Sequence, residues 1–208
     1  AVRGQSLAAA IAEFCPATAS KSIIIVEPDR ALGCAYTSLA ERSLPGVPVF
    51  AAAGAADAAA LLQQTTPGLV ILEPELEECD GVALVEQLRS AHAAPGSPVL
   101  LLSCRPLDPP LLARLSRLGP ILYAGKTIFT PDELAALIAR TFSAPETLSP
   151  RTGDLVKQAI FYIQRHFDQP LNRSDVAEAI SVSENYLSQI FRQEMGISLW
   201  DYLNRQRI

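Results

Sequence analysis

Five short, continuously apolar runs, separated by amphipathic segments, constrain the fold of the first part of this chain. Runs of this length that are rich in β-branched residues are expected of strands buried on both faces of a sheet. The runs lie at Ser22–Val26, Val47–Ala51, Leu69–Leu72, Pro98–Leu102 and Ile121–Ala124. Helical patterns follow them at Ala31–Ser43, Ala55–Gln64, Val82–Ala91, Pro109–Leu118 and Pro131–Thr141. This alternation predicts an α/β fold built on a doubly wound, five-stranded parallel sheet.

Polar residues follow several of the predicted strands, at the point where each strand ends. Glu27 and Asp29 follow the first strand, Glu73 the third and Ser103 the fourth, while the fifth leads through Tyr123 to Lys126. In doubly wound sheets, functional groups collect at the carboxyl ends of the strands. We therefore expect these side chains to form one pocket.

This set of residues resembles the receiver domain of two-component response regulators, which has a flavodoxin-like fold. By that resemblance, Glu73 stands at the phospho-acceptor position, Ser103 at the hydroxyl that contacts the phosphoryl group, and Tyr123 at the aromatic switch three residues before Lys126. The spacing from Glu73 to Asp80 and Gly81 also matches the family. The resemblance covers about residues 21–142.

The sequence departs from the receiver pattern at the residues that would carry phosphorylation. The acceptor is Glu73 where the family has Asp. The acidic pair that would help to hold Mg²⁺ reads Glu27-Pro28, with Asp29 one place later. A Glu carboxylate reaches about 1.5 Å farther than that of Asp, and a misplacement of about 1 Å can cost about a hundredfold in rate. We therefore predict a pseudo-receiver in which Glu73 pairs with Lys126 and Ser103 and partly mimics the phosphorylated charge.

Two other interpretations of this pocket remain open. Glu73 could be a solvated acid in a disused site, or it could accept a phosphoryl group in the usual way. We expect no cofactor, and we disfavour Mg²⁺ for the reasons given above. The segment from Glu73 to Asp80 holds five acids in eight residues. That run is typical of a solvated loop, although hard cations also prefer such oxygen ligands.

A second pattern occupies the C-terminal part of the chain. The stretch Ser183–Met195 begins with a good helix N-cap and places Tyr186, Leu187, Ile190 and Phe191 on one apolar face. A shorter helix, Arg173–Ile180, precedes it, capped by Asn172 and Asp175. Only two residues separate the helices, a spacing typical of a helix-turn-helix, although ordinary helical bundles contain similar pairs.

More specific residues in this segment resemble the first half of the AraC/XylS-type DNA-binding domain. The matching positions are Pro170, Leu171, Ala177, Val182, Ser183, Tyr186, Leu187, Phe191, Gly196, Ser198, Tyr202, Leu203, Arg207 and Ile208. Ser181 stands in the turn, where many such motifs have Gly. The resemblance implies duplex DNA as a partner. We expect Asn185, Ser188 and Gln189 to contact bases, and Arg192 and Arg173 to contact phosphates.

These patterns predict four segments. Residues 1–20 form an N-terminal extension, 21–142 the receiver-like domain, 143–151 a linker, and 152–208 a small all-α DNA-binding domain. The helix that begins near Arg151 should bury Leu155, Ile160, Ile163 and Phe167. The chain stops at Ile208, partway along a helix that joins two helix-turn-helix units in the AraC type. We expect a fragment whose Trp200, Leu203 and Tyr202 have lost a packing partner.

Composition limits the remaining function classes. The net charge is −5. Residues 1–150 carry 10 basic and 15 acidic side chains and residues 151–208 carry seven of each, which predicts weak non-specific DNA binding. The four cysteines show no metal-ligand spacing, and we expect them to be reduced and mostly buried. No apolar run is long enough to span a membrane, and no signal peptide is evident. No enzyme motif such as GxGxxG, GxxxxGK[ST] or GxSxG is present.

The sequence thus predicts a cytoplasmic, non-enzymatic transcription regulator. By the receiver resemblance, we expect a homodimer through Pro109–Leu118 and Pro131–Thr141, and a sensor kinase is a candidate partner. Two alternatives stay open. The chain could be a signalling adaptor that uses the receiver-like domain for protein contacts, or a phosphorylation-dependent response regulator.

Overall fold

The computed structural model describes residues 21–76, 80–90, 96–105, 109–115, 117–119, 121–143 and 150–207. The predicted N-terminal extension and most of the predicted linker lie outside these residues. We refer to residues 21–143 as the α/β region and to residues 150–207 as the helical region.

The α/β region is built on a five-stranded sheet in which every pairing is parallel and the strand order is β2-β1-β3-β4-β5. The strands are β1 (Ser22–Val26), β2 (Val49–Ala52), β3 (Pro67–Leu72), β4 (Val99–Ser103) and β5 (Ile121–Gly125). All residues of β1, β3, β4 and β5 are buried, as their apolar sequences predict. The predicted doubly wound sheet is therefore confirmed, with strand ends shifted by one or two residues.

Helices cover both faces of this sheet. They are α1 (Arg30–Ser43), α2 (Ala55–Gln64), α3 (Gly81–Ser90), α4 (Pro109–Leu115) and α5 (Pro131–Ser143). Helix α1 packs against α5, while α3 packs against both α2 and α4. Helix α4 ends at Leu115, three residues before the predicted end. This arrangement brings the carboxyl ends of β1, β3 and β5 to one edge of the sheet.

The helical region consists of α6 (Pro150–His166), α7 (Arg173–Ala179), α8 (Glu184–Met195) and α9 (Leu199–Gln206). The predicted caps are present. Asn172 and Asp175 form a capping box at α7, and the Ser183 hydroxyl accepts a hydrogen bond from the Tyr186 N–H at the start of α8. Helix α6 packs against α7, α8 and also β5. The two helices of the predicted helix-turn-helix therefore rest on α6.

Three expectations about side-chain burial were wrong. Phe167 is 39% exposed because α6 ends at His166, and Tyr186 is 43% exposed because it lies at the border of the buried stripe of α8. Of the three apolar residues expected to lack a partner in α9, Trp200 is 44% exposed, whereas Tyr202 and Leu203 are fully buried. Helix α9 packs back onto the chain, so its apolar face already has a partner.

The described cysteines also differ from expectation. Cys34 and Cys104 are exposed free thiols, while Cys15 and Cys79 lie outside the described residues. Among the helices that the structure describes, none is both long and apolar enough to cross a bilayer.

Candidate functional site

Three charged side chains meet at the carboxyl edge of the sheet. Glu27 follows β1, Glu73 follows β3 and Lys126 follows β5. The Nζ of Lys126 lies 2.7 Å from Oε2 of Glu27 and 2.6 Å from Oε2 of Glu73, and all three side chains are at least nine-tenths buried. We call these residues the carboxylate–lysine cluster.

Backbone hydrogen bonds that continue the sheet hold the cluster in place. The Glu27 N–H donates to the Ala52 carbonyl and the Glu73 N–H to the Val26 carbonyl, at 3.0 and 2.9 Å. The Lys126 N–H donates to the Ser103 carbonyl at 2.9 Å. Because each charged residue is fixed one step beyond its strand, the parallel register itself brings the three side chains together.

Every carboxylate oxygen of the cluster has a partner. Oε1 of Glu27 accepts a hydrogen bond from the Asp29 N–H at 3.2 Å, and Oε1 of Glu73 accepts one from the Glu75 N–H at 3.0 Å. Burial by itself would lower the pKa of Lys126, but hydrogen bonds to Glu27 and Glu73 outweigh it and hold the pKa above its ordinary value. In the cluster, each carboxylate oxygen thus has a hydrogen-bond partner, and Lys126 is held in its charged form.

Asp29, the other acid predicted for the pocket, serves a different purpose. Its Oδ1 accepts hydrogen bonds from the N–H groups of Ala31 and Leu32, so its carboxylate caps α1. Mg²⁺ prefers octahedral oxygen coordination, but the two carboxylates left in the cluster are already bonded to Lys126 and to backbone N–H groups. The residues present therefore do not fit a Mg²⁺ ion, and no step of the function proposed below uses one.

Ser103 and Tyr123 are buried near the cluster but make other contacts. The Ser103 hydroxyl accepts a hydrogen bond from the Arg105 N–H at 3.1 Å, and no hydrogen bond joins it to Glu73 within the described part of the chain. The predicted Glu73–Ser103 pair was therefore wrong. The Tyr123 hydroxyl donates to the Arg105 carbonyl at 2.8 Å, and burial raises the pKa of Tyr123 to about 12. Ser103 and Tyr123 thus both bind the backbone of Arg105, in the loop that follows β4.

The acidic run is only partly described, since residues 77–79 lie outside the structure's described ranges. Asp80 accepts a hydrogen bond from the Val82 N–H at the start of α3 and also contacts Arg114, while Glu75 pairs with Arg105 at 3.3 Å. No group of three metal-ligating side chains occurs among the described residues. The described acids have the arginine and backbone partners expected of a surface loop.

The predicted DNA-contacting residues lie on the outer side of α8. Asn185, Gln189 and Arg192 are exposed and Ser188 is half-buried, whereas Leu187, Ile190 and Phe191 are buried against the rest of the helical region. We call these four polar residues the recognition face. Arg173 is also exposed, but its Nε lies 3.2 Å from Oε1 of Glu184, at the start of α8.

Sequence reasoning missed the residues that join the two regions. Arg205 binds Glu133, Gln164 binds the Tyr123 hydroxyl, and Arg140 binds the Glu194 carbonyl. One signal was available for Gln164. It follows Ile160 by four residues on the apolar stripe of α6, where a polar side chain indicates a buried partner. Glu133, Arg140 and Arg205 lie in ordinary amphipathic helices and gave no such signal.

Comparison with known proteins adds to this geometry. No protein-family model matches the chain. The chain is 33% identical over 98 residues to the arabinose operon regulatory protein of Escherichia coli, a match that covers 43% of this chain and 34% of that protein. It is 38% identical over 53 residues to a response regulatory protein of Staphylococcus epidermidis, covering 26% of this chain and 21% of that protein. The chain thus spans about a third or less of the length of these curated relatives.

The structure also resembles solved receiver domains. The signal receiver domain of an HD domain-containing protein from Pseudomonas fluorescens is 27% identical and superposes with a TM-score of 0.51. The superposition covers 62% of this chain and 96% of that one. The predicted combination of a receiver-like domain with a helix-turn-helix of the AraC type is therefore supported by relatives of both kinds.

Proposed function

We propose that this chain, a receiver-like domain joined to part of an AraC-type helix-turn-helix domain, is a cytoplasmic DNA-binding transcription regulator. Residues 21–142 would form the receiver-like domain and 152–208 the DNA-binding domain, as the sequence predicts. The observation that supports DNA binding most directly is the recognition face. It is exposed on a helix that follows α7 after a four-residue turn, residues 180–183, the arrangement in which the second helix of a helix-turn-helix enters the major groove.

The chemistry of the recognition face suits sequence reading. Asn185 and Gln189 can each make paired hydrogen bonds to a base edge, and Ser188 can donate to or accept from one. Arg192 would bind a backbone phosphate. Arg173 would do the same only after leaving Glu184, since an arginine already paired with a carboxylate neutralises no phosphate.

The test is selection of a random-sequence duplex DNA pool by the 208-residue chain at low salt. We expect enrichment of a short motif, and binding that weakens steeply as salt rises. Complete indifference to DNA at low salt, in a version that carries both helix-turn-helix units, would refute the proposal. It would favour the alternative in which the receiver-like domain acts as a protein-binding adaptor.

We further infer that the receiver-like domain is not phosphorylated in the usual way. The supporting observation is the fully partnered carboxylate–lysine cluster, in which neither carboxylate has a free oxygen. In this view Glu73 holds Lys126 permanently, as a phosphorylated acceptor would, so a sensor kinase would control the protein by contact rather than by phosphoryl transfer. Binding of a partner protein is then the expected input.

A further inference from the structure

An open cavity of about 590 Å³ lies at the carboxyl edge of the sheet, next to the edge strand β2. Its walls are one face of α1, the residues that end β1 and β2, and the first turn of α2. A cavity of this size is large enough to hold a small-molecule ligand. We call it the edge cavity. The recognition face lies in the helical region, so DNA binding does not explain this cavity.

The residues that line the edge cavity have small side chains. Ala51–Ala53 line it from the end of β2, and Gly33, Thr37 and Ser38 line it from α1. The Thr37 hydroxyl donates to the Gly33 carbonyl at 2.9 Å, so it is already bonded within the helix. Ala51 and Ala53 are exposed. The wall along β2 is therefore apolar and open to a ligand.

Gly33 enlarges the edge cavity at a cost to the stability of α1. Its φ is not positive, and a Cβ built at this position would lie 3.8 Å from the Cβ and the carbonyl oxygen of Glu27, an ordinary contact distance. An alanine would thus fit, and in a helix alanine is more stable than glycine. Stability that is given up at a position lining a cavity is typical of a binding site.

Two exposed residues of opposite charge line the edge cavity. They are Arg30, the first residue of α1, and Asp57, in the first turn of α2. Neither side chain forms an ion pair or a hydrogen bond with another residue that the structure describes. The positive end of the α1 dipole also disfavours a cation at the position of Arg30. The helix itself therefore does not account for this arginine.

Glu27, the other acid that lines the edge cavity, has no oxygen free for a ligand. Its Oε2 lies 2.7 Å from Nζ of Lys126, and its Oε1 accepts a hydrogen bond from the Asp29 N–H. Its Cβ and Cγ lie closest to Gly33. The charges available to a ligand are thus those of Arg30 and Asp57, which sum to zero. The same Glu27 side chain joins the cavity to the carboxylate–lysine cluster.

We propose that the edge cavity binds a free amino acid with an apolar side chain. The ligand carboxylate pairs with Arg30, its ammonium group pairs with Asp57, and its side chain lies on Ala51–Ala53. A simple anion would be repelled by Asp57 and a simple cation by Arg30, so a zwitterion is the class of ligand that satisfies both residues. The bound ligand contacts Glu27 and thereby alters the surroundings of Lys126. This inference does not rest on the proposed DNA binding.

The test is titration of the 208-residue chain with each of the common apolar L-amino acids, followed by ¹H–¹⁵N NMR. We expect saturable binding of at least one of them at millimolar concentration or below, with the largest shifts at Gly33 and Ala51–Ala53. For leucine, the matched controls are 4-methylpentanoate, which lacks the ammonium group, and 3-methylbutylamine, which lacks the carboxylate. Each control should bind about tenfold more weakly than the amino acid, because it leaves one charged residue unpaired. Absence of saturable binding by all the amino acids, or equal binding of either kind of control, would overturn the proposal.

Charge variants identify the contacts. Arg30→Gln and Asp57→Asn should each weaken binding about tenfold, since each removes one ion pair with the ligand. Both positions are exposed, so the fold should be retained. Arg42→Gln and Glu41→Gln remove exposed charges from the far end of α1 and should leave the affinity unchanged. Full affinity in either cavity variant would exclude a zwitterion held by both residues.

Variants that fill the cavity test its shape. Ala51→Leu should abolish binding, whereas Ala60→Leu, at an exposed position of α2 outside the cavity, should not. Gly33→Ala should raise the midpoint of thermal unfolding and weaken binding at the same time. A stabilised Gly33→Ala protein that binds as tightly as the wild type would show that Gly33 does not make room for the ligand.

The backbone N–H signal of Lys126 tests the connection to the carboxylate–lysine cluster. We expect it to shift on binding to the wild type. Saturable binding with no shift at Lys126 would overturn the connection through Glu27. These measurements contain no DNA, so failure to select a DNA motif would leave them unaffected, and the two proposals fail separately.

Discussion

Ser181 is the residue at which the turn of the helix-turn-helix departs most from ordinary backbone geometry. Its φ is 59°, in the left-handed region that favours glycine, the residue that many such motifs have at this position. A left-handed conformation costs an L-residue about 1–2 kcal/mol, and a glycine avoids this cost. Part of the benefit is lost because glycine has more conformational entropy in the unfolded chain. We expect Ser181→Gly to raise the free energy of unfolding by about 0.5–1 kcal/mol.

Chemical denaturation followed by Trp200 fluorescence measures this change in the helical region, since Trp200 is the only tryptophan of the chain. Ser181→Ala is the matched control. Alanine has the same steric penalty as serine at positive φ, so its stability should not rise. An equal gain in both variants would show that the backbone conformation is not the cause.

The ion pair between Glu133 of α5 and Arg205 of α9 depends on pH. Hydrogen bonds from Arg205 lower the pKa of Glu133 from 4.5 to about 2, so its contribution to stability is complete above about pH 4.5. That contribution is lost as pH falls through about 2. We expect the wild type to be more stable than Glu133→Gln at pH 6, with the difference shrinking steadily between pH 4.5 and 2. A difference that is independent of pH would contradict the ion pair.

For single residues, the sequence predicted which side chains lie at the carboxyl edge of the sheet better than it predicted which groups they bind. It placed Glu27, Glu73 and Lys126 at one edge because parallel strands end together, and the structure brings them into contact. It assigned Asp29 to the same pocket. Asp29 also immediately precedes helix α1, however, and its carboxylate binds the N–H groups of Ala31 and Leu32 as the N-cap of that helix. A strand-end position does not by itself distinguish these two uses.

Helix α8 is the element on which the proposed DNA recognition depends. Removing the amide of Gln189 should cost about 1–3 kcal/mol at a single base position and relax the preference there. The measurement is competition binding with single-base variants of the selected duplex. Gln158→Ala, an exposed position on α6, is the control and should leave the preference unchanged. An unaltered preference in Gln189→Ala would remove Gln189 from the recognition face.

The ion pair between Arg173 of α7 and Glu184 of α8 predicts a variant that binds DNA more tightly. Glu184→Gln frees Arg173 from its partner, so one further phosphate can be neutralised. We expect tighter binding to non-specific duplex, and a slope of log affinity against log salt that is steeper by about 1. Glu178→Gln also removes an exposed acid but frees no arginine, so its salt slope should match that of the wild type.

The elements themselves were largely predictable from the sequence. Apolar β-branched runs predicted the strands, and the capping residues Asn172 and Ser183 predicted the starts of two helices. The least accurate boundary was the end of α4, where the apolar pattern continues past the last helical residue. Periodicity describes which face of an element is buried, but it does not report where the backbone stops being helical.

At the scale of the whole molecule, the contacts between the two regions lay beyond sequence reasoning. Arg205 and Glu133 are 72 residues apart, and Gln164 and Tyr123 are 41 apart. No periodic or motif pattern connects such pairs. Through these contacts the helical region binds Glu133, which lies in one of the two segments predicted to bind a second chain.

We propose that the carboxylate–lysine cluster stays paired and does not accept a phosphoryl group. The most direct test is the intact mass of the wild type after incubation with Mg²⁺ and acetyl phosphate, with Glu73→Asp and Glu73→Gln alongside. We predict no added phosphoryl group in the wild type. A gain of one group in the wild type that is absent in Glu73→Gln would contradict the claim and identify a phosphorylation-dependent response regulator.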